Sequence, residues 1–534
     1  MKNCKLKQLT LALGLALGGV GVMQSAQAVY ISTDNLGQAL IFPYYTVNGT
    51  WSSLFHVTNT SGRVVAVKAR FRESYNSRDV MDFDIILSPY DVWTGWVAAN
   101  TAGGAVGPAL FTEDNTCTIG AIPGGGVPFP AAISYVSPYN DGGPTDRARM
   151  NEGYVEMIMM GASADVATYN GPGGTGPTGF AKDFPYAAAA IHGADGKPAD
   201  CNLLVSAFQT PTLLTTLQDT FPNMLGGAWA DARPLNILKG QYSLVNGPKG
   251  LNAVGLPTAL ANFRNVNNAA NASLVTLQLE TTEVVGGAVG SVPYASSWHE
   301  PSLFSSNTPG VYLTGFGAVP IVGPIATGGT AQNVSNALAR STVLNEWSRR
   351  TNAAEGWVTS TDWVVTFPTK NFYVDNQNSN PFAGRNGWRR NAAVAPAVAS
   401  PAPFSQMFTN SAVSPAVLNG KSCDSIRFEI RNREEDLSTG AGFSPGASAQ
   451  FCYEANVLTF EQTNLLNSQA PLNGSINNYP SDYLYGWLNV TLPTALPVVG
   501  FSIITRDDDS ALLSEAGLTD HSYTRTDHSD HHPR

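Results

Sequence analysis

Two stretches near the start of the chain alternate apolar and polar residues at a period of two. In residues 65–72 the apolar series is Val, Val, Ala and Phe, and the intervening series includes Lys68, Arg70 and Arg72. In residues 81–87 a second apolar series is interrupted by two aspartates. This period directs one face of a strand to a core and the other to water. Because only a short polar connection separates the stretches, the pattern predicts an antiparallel hairpin.

Similar short apolar patterns, separated by turns and Gly-rich loops, recur along the chain. Short strands with frequent turns are typical of a β-sandwich. The sequence therefore predicts an all-β fold of one or two β-sandwich (Ig-like) units with long Gly-rich loops and minor helix. The strand candidates after the hairpin are 154–160, 273–279, 357–365, 372–374, 426–431, 457–460, 487–492 and 498–504.

Two segments have a helical pattern. Residues 331–350 place Val334, Leu338 and Trp347 near one side and end in two arginines, which suit the C-terminal end of a helix dipole. Residues 258–263 are predicted to form a shorter helical turn. The predicted parts of the chain are 1–28 as a signal peptide, 29–110 as N-terminal β-sandwich strands, 111–350 as a loop-rich middle region with strands and a helix near 331–350, 351–506 as a C-terminal β region, and 507–534 as a polar His/Asp-rich tail.

The first 28 residues have the pattern of an export signal. Three lysines precede the apolar run Leu9–Val22, and Ala26-Gln27-Ala28 is a cleavage site of the A-x-A type. We expect the mature chain to begin at Val29 and to reach the cell surface or the extracellular space, with the periplasm as the alternative. Removal of a segment with three lysines and no acid takes the formal net charge from −10 to −13. No later stretch has 18 unbroken apolar residues, so no transmembrane segment is predicted in the mature chain.

Charged residues make up only 13% of the chain, about half the usual share. The acidic balance argues against a nucleic-acid partner. A surface rich in hydroxyl and amide groups is common in proteins that contact copies of themselves or other surfaces.

The mature chain keeps Cys117, Cys201, Cys423 and Cys452. An even number of cysteines in an exported protein favours disulfides, and four cysteines allow three pairings. We favour Cys117–Cys201 and Cys423–Cys452, because each pair falls within one part of the chain. Four free buried thiols are the alternative, and zinc is disfavoured because there is no C-x-x-C spacing.

Six short segments occur in a distinctive order. They are FPYYT (42–46), NSRDVMDFDIILSPYDVWT (76–94), GYVE (153–156), TDWVVTFPTK (361–370), NREED (432–436) and FCYEANVLTF (451–460). Together they resemble an uncharacterised secreted β-rich protein family of Gram-negative bacteria. The resemblance spans nearly the whole mature chain and implies export and a β-rich fold, but no activity or site residue.

Catalytic motifs are poorly supported. Gly442–Gly446 matches the G-x-S-x-G pattern, but Pro445 after Ser444 has no N–H for an oxyanion hole, so a turn is favoured. A hydrolase would need carboxylates distant in sequence, such as Glu156, Glu434 and Glu454, to meet in one cleft. A network of structural ion pairs is the favoured interpretation, and we expect no enzymatic activity and no cofactor.

Two groups of residues are weak candidates for binding. Imidazole groups crowd the tail beside aspartates and could bind a metal ion adventitiously, although no packing pattern fixes their geometry. Exposed tryptophans could bind sugars or partner proteins, whereas buried ones would fill a sandwich core. The metal candidates are His521, His528, His531 and His532, and the binding candidates are Trp51, Trp93 and Trp363, among a wider aromatic set that includes Tyr44, Tyr45, Trp96 and Trp487.

The leading functional hypothesis is an exported cell-surface or extracellular structural protein that self-assembles into a layer or filament. Its β-prone new terminus, Val29–Thr33, could pair with a sheet edge of a neighbouring copy. The alternative is a secreted protein that binds a surface polysaccharide or another surface ligand, and a hydrolase with an unrecognised carboxylate site ranks third.

Overall fold

The computed structural model describes residues 29–77, 79–100, 107–119, 126–129, 143–209, 236–263, 283–285, 288–290, 303, 312–314, 317–319, 330–352, 357–374, 403–405, 421–439, 449–460, 463–469, 476, 483–507 and 514–523. Within these residues the fold is all-β, with sandwich-like packing of antiparallel sheets and few helices, which confirms the predicted fold class. The described residues do not include the predicted export signal, the strand candidate 273–279, Ser444 or the histidines 528, 531 and 532.

The described strands are numbered in chain order. They are β1 Tyr30–Ile31, β2 Ala39–Thr46, β3 Trp51–Asn59, β4 Arg63–Glu73, β5 Asp79–Leu87, β6 Val92–Asn100, β7 Gly107–Phe111, β8 Cys117–Ile119, β9 Val127–Pro128, β10 Glu152–Asp165, β11 Asn170–Gly171, β12 Gly174–Thr175, β13 Leu238–Asn246, β14 Leu251–Gly255, β15 Thr258–Ala261, β16 Glu283–Val285, β17 Ala288–Gly290, β18 Tyr312–Thr314, β19 Gly317–Val319, β20 Ala339–Ser348, β21 Arg350–Asn352, β22 Trp357–Thr366, β23 Asp424–Asn432, β24 Leu437–Thr439, β25 Ala449–Phe451, β26 Ala455–Thr459, β27 Tyr485–Pro497, β28 Val499–Asp507 and β29 Glu515–Asp520. The described α-helices are Gly176–Asp183, Pro185–Ala189, Cys201–Gln209, Thr330–Leu338 and Lys370–Val374, and 3-10 turns occur at Arg147–Asn151 and Gly247–Lys249.

Two sheets form the N-terminal sandwich. The first sheet has the order β1-β15-β2-β10-β4-β5-β8, and the second sheet has the order β14-β13-β3-β6-β7-β9. Their facing sides meet in a core where the ring of Phe55 contacts the rings of Phe42 and Phe71 edge to face. The sandwich therefore extends beyond the predicted range 29–110, because β10 and β13–β15 come from the predicted middle region.

The predicted hairpin is present as β4 and β5, with Val65 opposite Leu87 and Phe71 opposite Met81. The expectation that its polar side faces water is wrong, because Lys68, Arg70 and Arg72 are almost fully buried. Helices of residues 176–209 cover part of the outer face of the first sheet, and helix Thr330–Leu338 covers another part. A strand with polar alternation is thus buried on both faces.

Two further sheets form the C-terminal region. The third sheet has the order β20-β27-β23-β24 with β25 also on β23, and the fourth has β21-β22-β28-β29 with β26 also on β22. One face of the fourth sheet places Trp363 and Val365 in the core shared with the third sheet. Its other face places Val364 and Phe501 in the core of the N-terminal sandwich. The fourth sheet therefore joins the two halves of the molecule.

Four local predictions differ from the structure. The strand candidate 372–374 lies instead in helix Lys370–Val374, because the chain turns after β22, where the Lys370 N–H donates to the Phe367 carbonyl. The helix predicted near 331–350 ends at Leu338, and residues 339–348 form β20, because Val343, Asn345 and Trp347 alternate inward and the strand pairs with β27. The helical turn predicted at 258–263 is instead strand β15, paired with β1 and β2. Part of the predicted polar tail forms β29 at the edge of the fourth sheet.

Both favoured disulfides are confirmed. Cys117 on β8 is bonded to Cys201 at the start of a helix, with Cα atoms 5.5 Å apart. Cys423, just before β23, is bonded to Cys452, just after β25. The first bond ties the helical cover to the first sheet, and the second ties the start of β23 to the segment that precedes β26. None of the described helices is long and apolar enough to cross a membrane.

Candidate ligand-binding face

The outer side of the third sheet, here called the third-sheet face, carries an exposed tryptophan among charged residues. Strand β27 lies between β20 and β23, and its register sets Trp487 between Glu346 and Arg431. On β23, Ile426, Phe428 and Ile430 point into the core, so the intervening arginines and glutamate point outward. Because successive side chains of a strand point to opposite faces, the outward positions form a polar surface around one aromatic side chain.

Trp487 is 49% exposed, the largest exposure among the tryptophans of the described chain. Tyr485 lies two residues earlier on the same strand and therefore on the same face. An open cleft of about 540 Å³ runs past both rings and is lined also by Glu346, Arg433 and Glu435.

The NREED segment forms one rim of this cleft. The Asp436 backbone N–H donates to the Asn432 side chain at 2.8 Å, and the Asn432 N–H donates to the Asp436 carbonyl at 3.2 Å. Glu435 adopts a left-handed conformation with φ of 69°, which closes the turn between β23 and β24. The motif is therefore explained by the turn that it forms.

Two arginines of the rim are oriented by local contacts. Arg433 donates to the Tyr485 hydroxyl at 3.0 Å, and its guanidinium carbon lies 5.3 Å from the centre of that ring. Arg431 donates to the Glu435 carbonyl at 3.2 Å. A guanidinium has five N–H donors, so each arginine keeps donors for a ligand. The face combines an aromatic surface, fixed cationic donors and carboxylate acceptors.

The three tryptophans considered as binding candidates are buried, so they have the alternative role of filling the cores. Trp51 is 2% exposed, and Trp93 and Trp363 are fully buried. The indole N–H of Trp51 donates to the Leu465 carbonyl at 3.0 Å, and that of Trp363 donates to the Glu346 carbonyl at 2.9 Å. All three side chains point inward from their strands and therefore belong to the cores.

Trp487 points outward from its strand, and the sequence pattern predicts this orientation. Leu488, Val490 and Leu492 form an apolar series of period two, and all three are buried. A residue one position out of phase with this series points to solvent. The same alternation of inward and outward positions therefore distinguishes Trp487 from the tryptophans of the cores.

His521 is not a metal ligand in this structure, which corrects its prediction. It is buried against Trp363, with ring centres 4.9 Å apart. Its Nε2 donates to the Val364 carbonyl at 2.9 Å, and its Nδ1 accepts from the Asn345 amide at 3.0 Å, so both nitrogens are engaged. Burial lowers the pKa of His521 to about 3. Within the described ranges, no three His, Cys, Asp or Glu side chains are grouped so that they could hold a metal ion.

The carboxylates considered for hydrolysis do not share an open cleft. Glu434 is exposed on the NREED turn, whereas Glu156 and Glu454 are buried in the interior. Glu156 accepts from Arg72 at 2.6 Å and lies 3.8 Å from Arg70, so it belongs to an ion-pair network. Burial raises the pKa of Glu454 to about 8.

Comparison with known proteins found no match among family models, curated proteins or solved structures. The geometry of the third-sheet face therefore carries the functional argument.

Proposed function

We propose that this protein is an exported β-sandwich protein that binds a surface polysaccharide through the third-sheet face. The observation that carries the proposal is the exposed Trp487, held between Glu346 and Arg431 in an open cleft. A large aromatic ring supplies contact area at low conformational cost, and the flanking groups match the hydroxyls of a sugar.

The shape of the cleft favours a chain over a single small molecule. Small-molecule sites usually enclose most of the ligand, whereas this cleft is open along the sheet. Glu346, Arg431 and Arg433 bring both signs of charge, so hydroxyl groups can be met by donors and by acceptors. A polysaccharide presents repeated hydroxyls and apolar C–H faces to such a surface.

Export is part of the proposal. Two disulfides are compatible with an oxidising compartment, where such bonds form and persist. The basic and apolar pattern of residues 1–28 supports the same location.

The test is binding of the purified protein to an array of bacterial capsular polysaccharides, lipopolysaccharide O-chains and neutral glucans. We expect at least one polysaccharide to be retained. Trp487→Ala should raise its Kd by about tenfold or more, because truncating a central aromatic anchor commonly costs over 1 kcal/mol. Tyr90→Ala removes a ring that is 70% exposed on the turn between β5 and β6 and should leave Kd unchanged. Retention of no polysaccharide, or equal Kd values for Trp487→Ala and the unmodified protein, would refute the proposal.

A second candidate, a structural role through self-association, draws on the outer face of the second sheet. There the strand register aligns Val254, Ser243, Leu54, Trp96 and Phe111 in one row across five strands. Val254 is 43% and Leu54 is 41% exposed, and an apolar row of this kind suits contact with a second copy.

The donor-strand form of this idea is disfavoured. Tyr30 and Ile31 already pair with β15 of the same chain, and Val29 is 5% exposed. Comparing the sedimentation of the unmodified protein with that of Leu54→Glu tests the second candidate. A concentration-dependent oligomer that Leu54→Glu dissociates would support it, and a monomer at all concentrations would exclude it.

A further inference from the structure

A lysine and two acids are buried together where the third and fourth sheets meet. Lys370 follows β22, Asp424 begins β23 and Glu454 immediately precedes β26. The Lys370 Nζ lies 3.5 Å from Asp424 Oδ2, and the two side chains are 1% and 0% exposed. Glu454 is also fully buried.

The backbone brings these three residues together. The Phe367 N–H donates to the Glu454 carbonyl at 2.7 Å, and the Lys370 N–H donates to the Phe367 carbonyl at 3.1 Å. The disulfide of Cys423 with Cys452 adjoins Asp424 and lies two residues before Glu454. The relative positions of the lysine and the acids are thus fixed by hydrogen bonds and by a covalent bond.

Aromatic rings lie beside the pair in a site closed to water. The rings of Phe367 and Phe404 lie with their centres 5.4 and 5.5 Å from the Lys370 Nζ. Withdrawing an ion pair from water into such a site carries a desolvation penalty that can exceed the attraction between the ions. Burial accordingly lowers the pKa of Lys370 and raises that of Glu454 to about 8, and the charges of Lys370 and Glu454 each influence the other's pKa.

Hydrogen bonds orient the amine and the acid for reaction. The Lys370 Nζ donates to the carbonyls of Ser422 and Phe451. A neutral amine has two N–H groups, so these bonds leave its lone pair for the third neighbour, Asp424. Asp424 Oδ1 accepts from the Ser405 N–H at 2.7 Å, which positions a donor to stabilise negative charge on that oxygen during attack.

We propose that Lys370 and Asp424 join in an intramolecular amide bond. One proton passes from the Lys370 ammonium to Oδ2 of Asp424 within the buried pair, which leaves an amine and a carboxylic acid. The Nζ lone pair then attacks Cγ of Asp424, and an N–C bond forms. The bond from Cγ to Oδ2 breaks, and one water leaves with that oxygen, the transferred proton and a second proton from Nζ. The step consumes only the two paired groups, so it needs no oxidant, reductant or activated co-reactant.

The amide bond would be a second covalent link beside a disulfide. It would tie the segment after β22 in the fourth sheet to β23 in the third sheet. Unlike the disulfide, it would resist reducing agents.

The test is the intact mass of the purified full chain after its disulfides are reduced. We expect a mass lower by one water than the sequence mass. We also expect a proteolytic peptide pair joined between Lys370 and Asp424. A chain of unchanged mass, or a link that joins Lys370 to another residue, would overturn the proposal.

Two variants sharpen the test. Asp424→Asn should lose one ammonia in place of one water, because the amide nitrogen becomes the leaving group. Lys68→Arg alters the comparably buried Lys68–Asp84 pair, whose atoms are 3.6 Å apart, and should keep the loss of one water. If a variant fails to fold, the mass of the unmodified chain still decides the question.

Discussion

At the scale of single residues, the interior holds ionisable groups of two kinds. Glu156 and Glu73 form ion pairs with arginines. Asp362 and His521 have no such ion pair among the described residues, and burial shifts the pKa of each towards its neutral form. The sequence does not separate the two kinds, because the distinction depends on the strands that pack beside each residue.

Asp362 gives a prediction about pH. Burial raises its pKa from 3.8 to about 8, and its Oδ2 accepts from the Leu466 N–H at 2.8 Å. Between these two values the folded state holds a proton that the unfolded state has released, so stability falls as pH rises. In Asp362→Asn the loss of stability between pH 5 and pH 8.5 should be smaller, by an amount on the order of a few kcal/mol. Urea unfolding at both pH values measures the effect.

The matched control is Glu113→Gln, which changes an exposed carboxylate on the loop between β7 and β8. It should keep the pH dependence of the unmodified chain. Parallel pH profiles for Asp362→Asn and the unmodified protein would show that Asp362 does not carry the effect.

At the scale of elements, the sequence predicted strands well where one side was apolar and failed where a second layer changed the outcome. The hairpin of β4 and β5 was predicted, but the burial of its charged side was not, because it depends on residues distant in sequence, such as Glu156 of β10, which pairs with Arg70 and Arg72. Residues 339–348 were predicted as helix because Val334, Leu338 and Trp347 fit a helical spacing. Pairing with β27 makes them a strand, and that pairing spans more than a hundred residues of sequence.

The two disulfides should stabilise by different amounts. The Cys117–Cys201 bond closes a separation of 84 residues, and the Cys423–Cys452 bond closes 29. By loop entropy, replacing both cysteines with alanine should cost about 4–5 kcal/mol for the first pair and about 3–4 kcal/mol for the second. Denaturant unfolding of the two double variants measures which pair contributes more to the free energy of unfolding.

Hydrogen exchange locates each loss. Without the first bond, exchange should accelerate in helices Gly176–Asp183 and Cys201–Gln209, because the bond ties these helices to the first sheet. Strands β20 and β27 should be protected as before and serve as the internal control. Uniform acceleration would argue that the bond stabilises the fold as a whole.

At the scale of the whole molecule, the two halves share one core. The fourth sheet places Val364, Phe501 and Ile503 among the aromatic residues of the N-terminal sandwich. Polar contacts cross the same junction, as the Thr366 hydroxyl donates to the Pro43 carbonyl at 2.7 Å and the Tyr154 hydroxyl to the Pro368 carbonyl at 3.2 Å. The halves are therefore expected to unfold together.

Phe501→Ala tests this expectation. The ring is fully buried and contacts Tyr44 and Tyr242, so its loss should cost about 3–5 kcal/mol. Calorimetry should show one transition at a lower Tm, with hydrogen exchange faster in both β3 and β27. Leu54→Ala, an exposed aliphatic change on β3, should shift Tm little. Two separate transitions would contradict the shared core.

The sequence alone determined the strand-rich fold and the inward phase of most strands, and it favoured the two disulfide pairs that the structure contains. These features depend on local period and on the position of cysteines along the chain. The tertiary structure decided which faces are covered, and so which polar residues are buried and which tryptophan is exposed. It placed Lys370 beside Asp424 and left Trp487 in an open cleft. The physical reason is that a period of two assigns residues to a common face, but only the packing of distant elements determines whether that face meets protein or water.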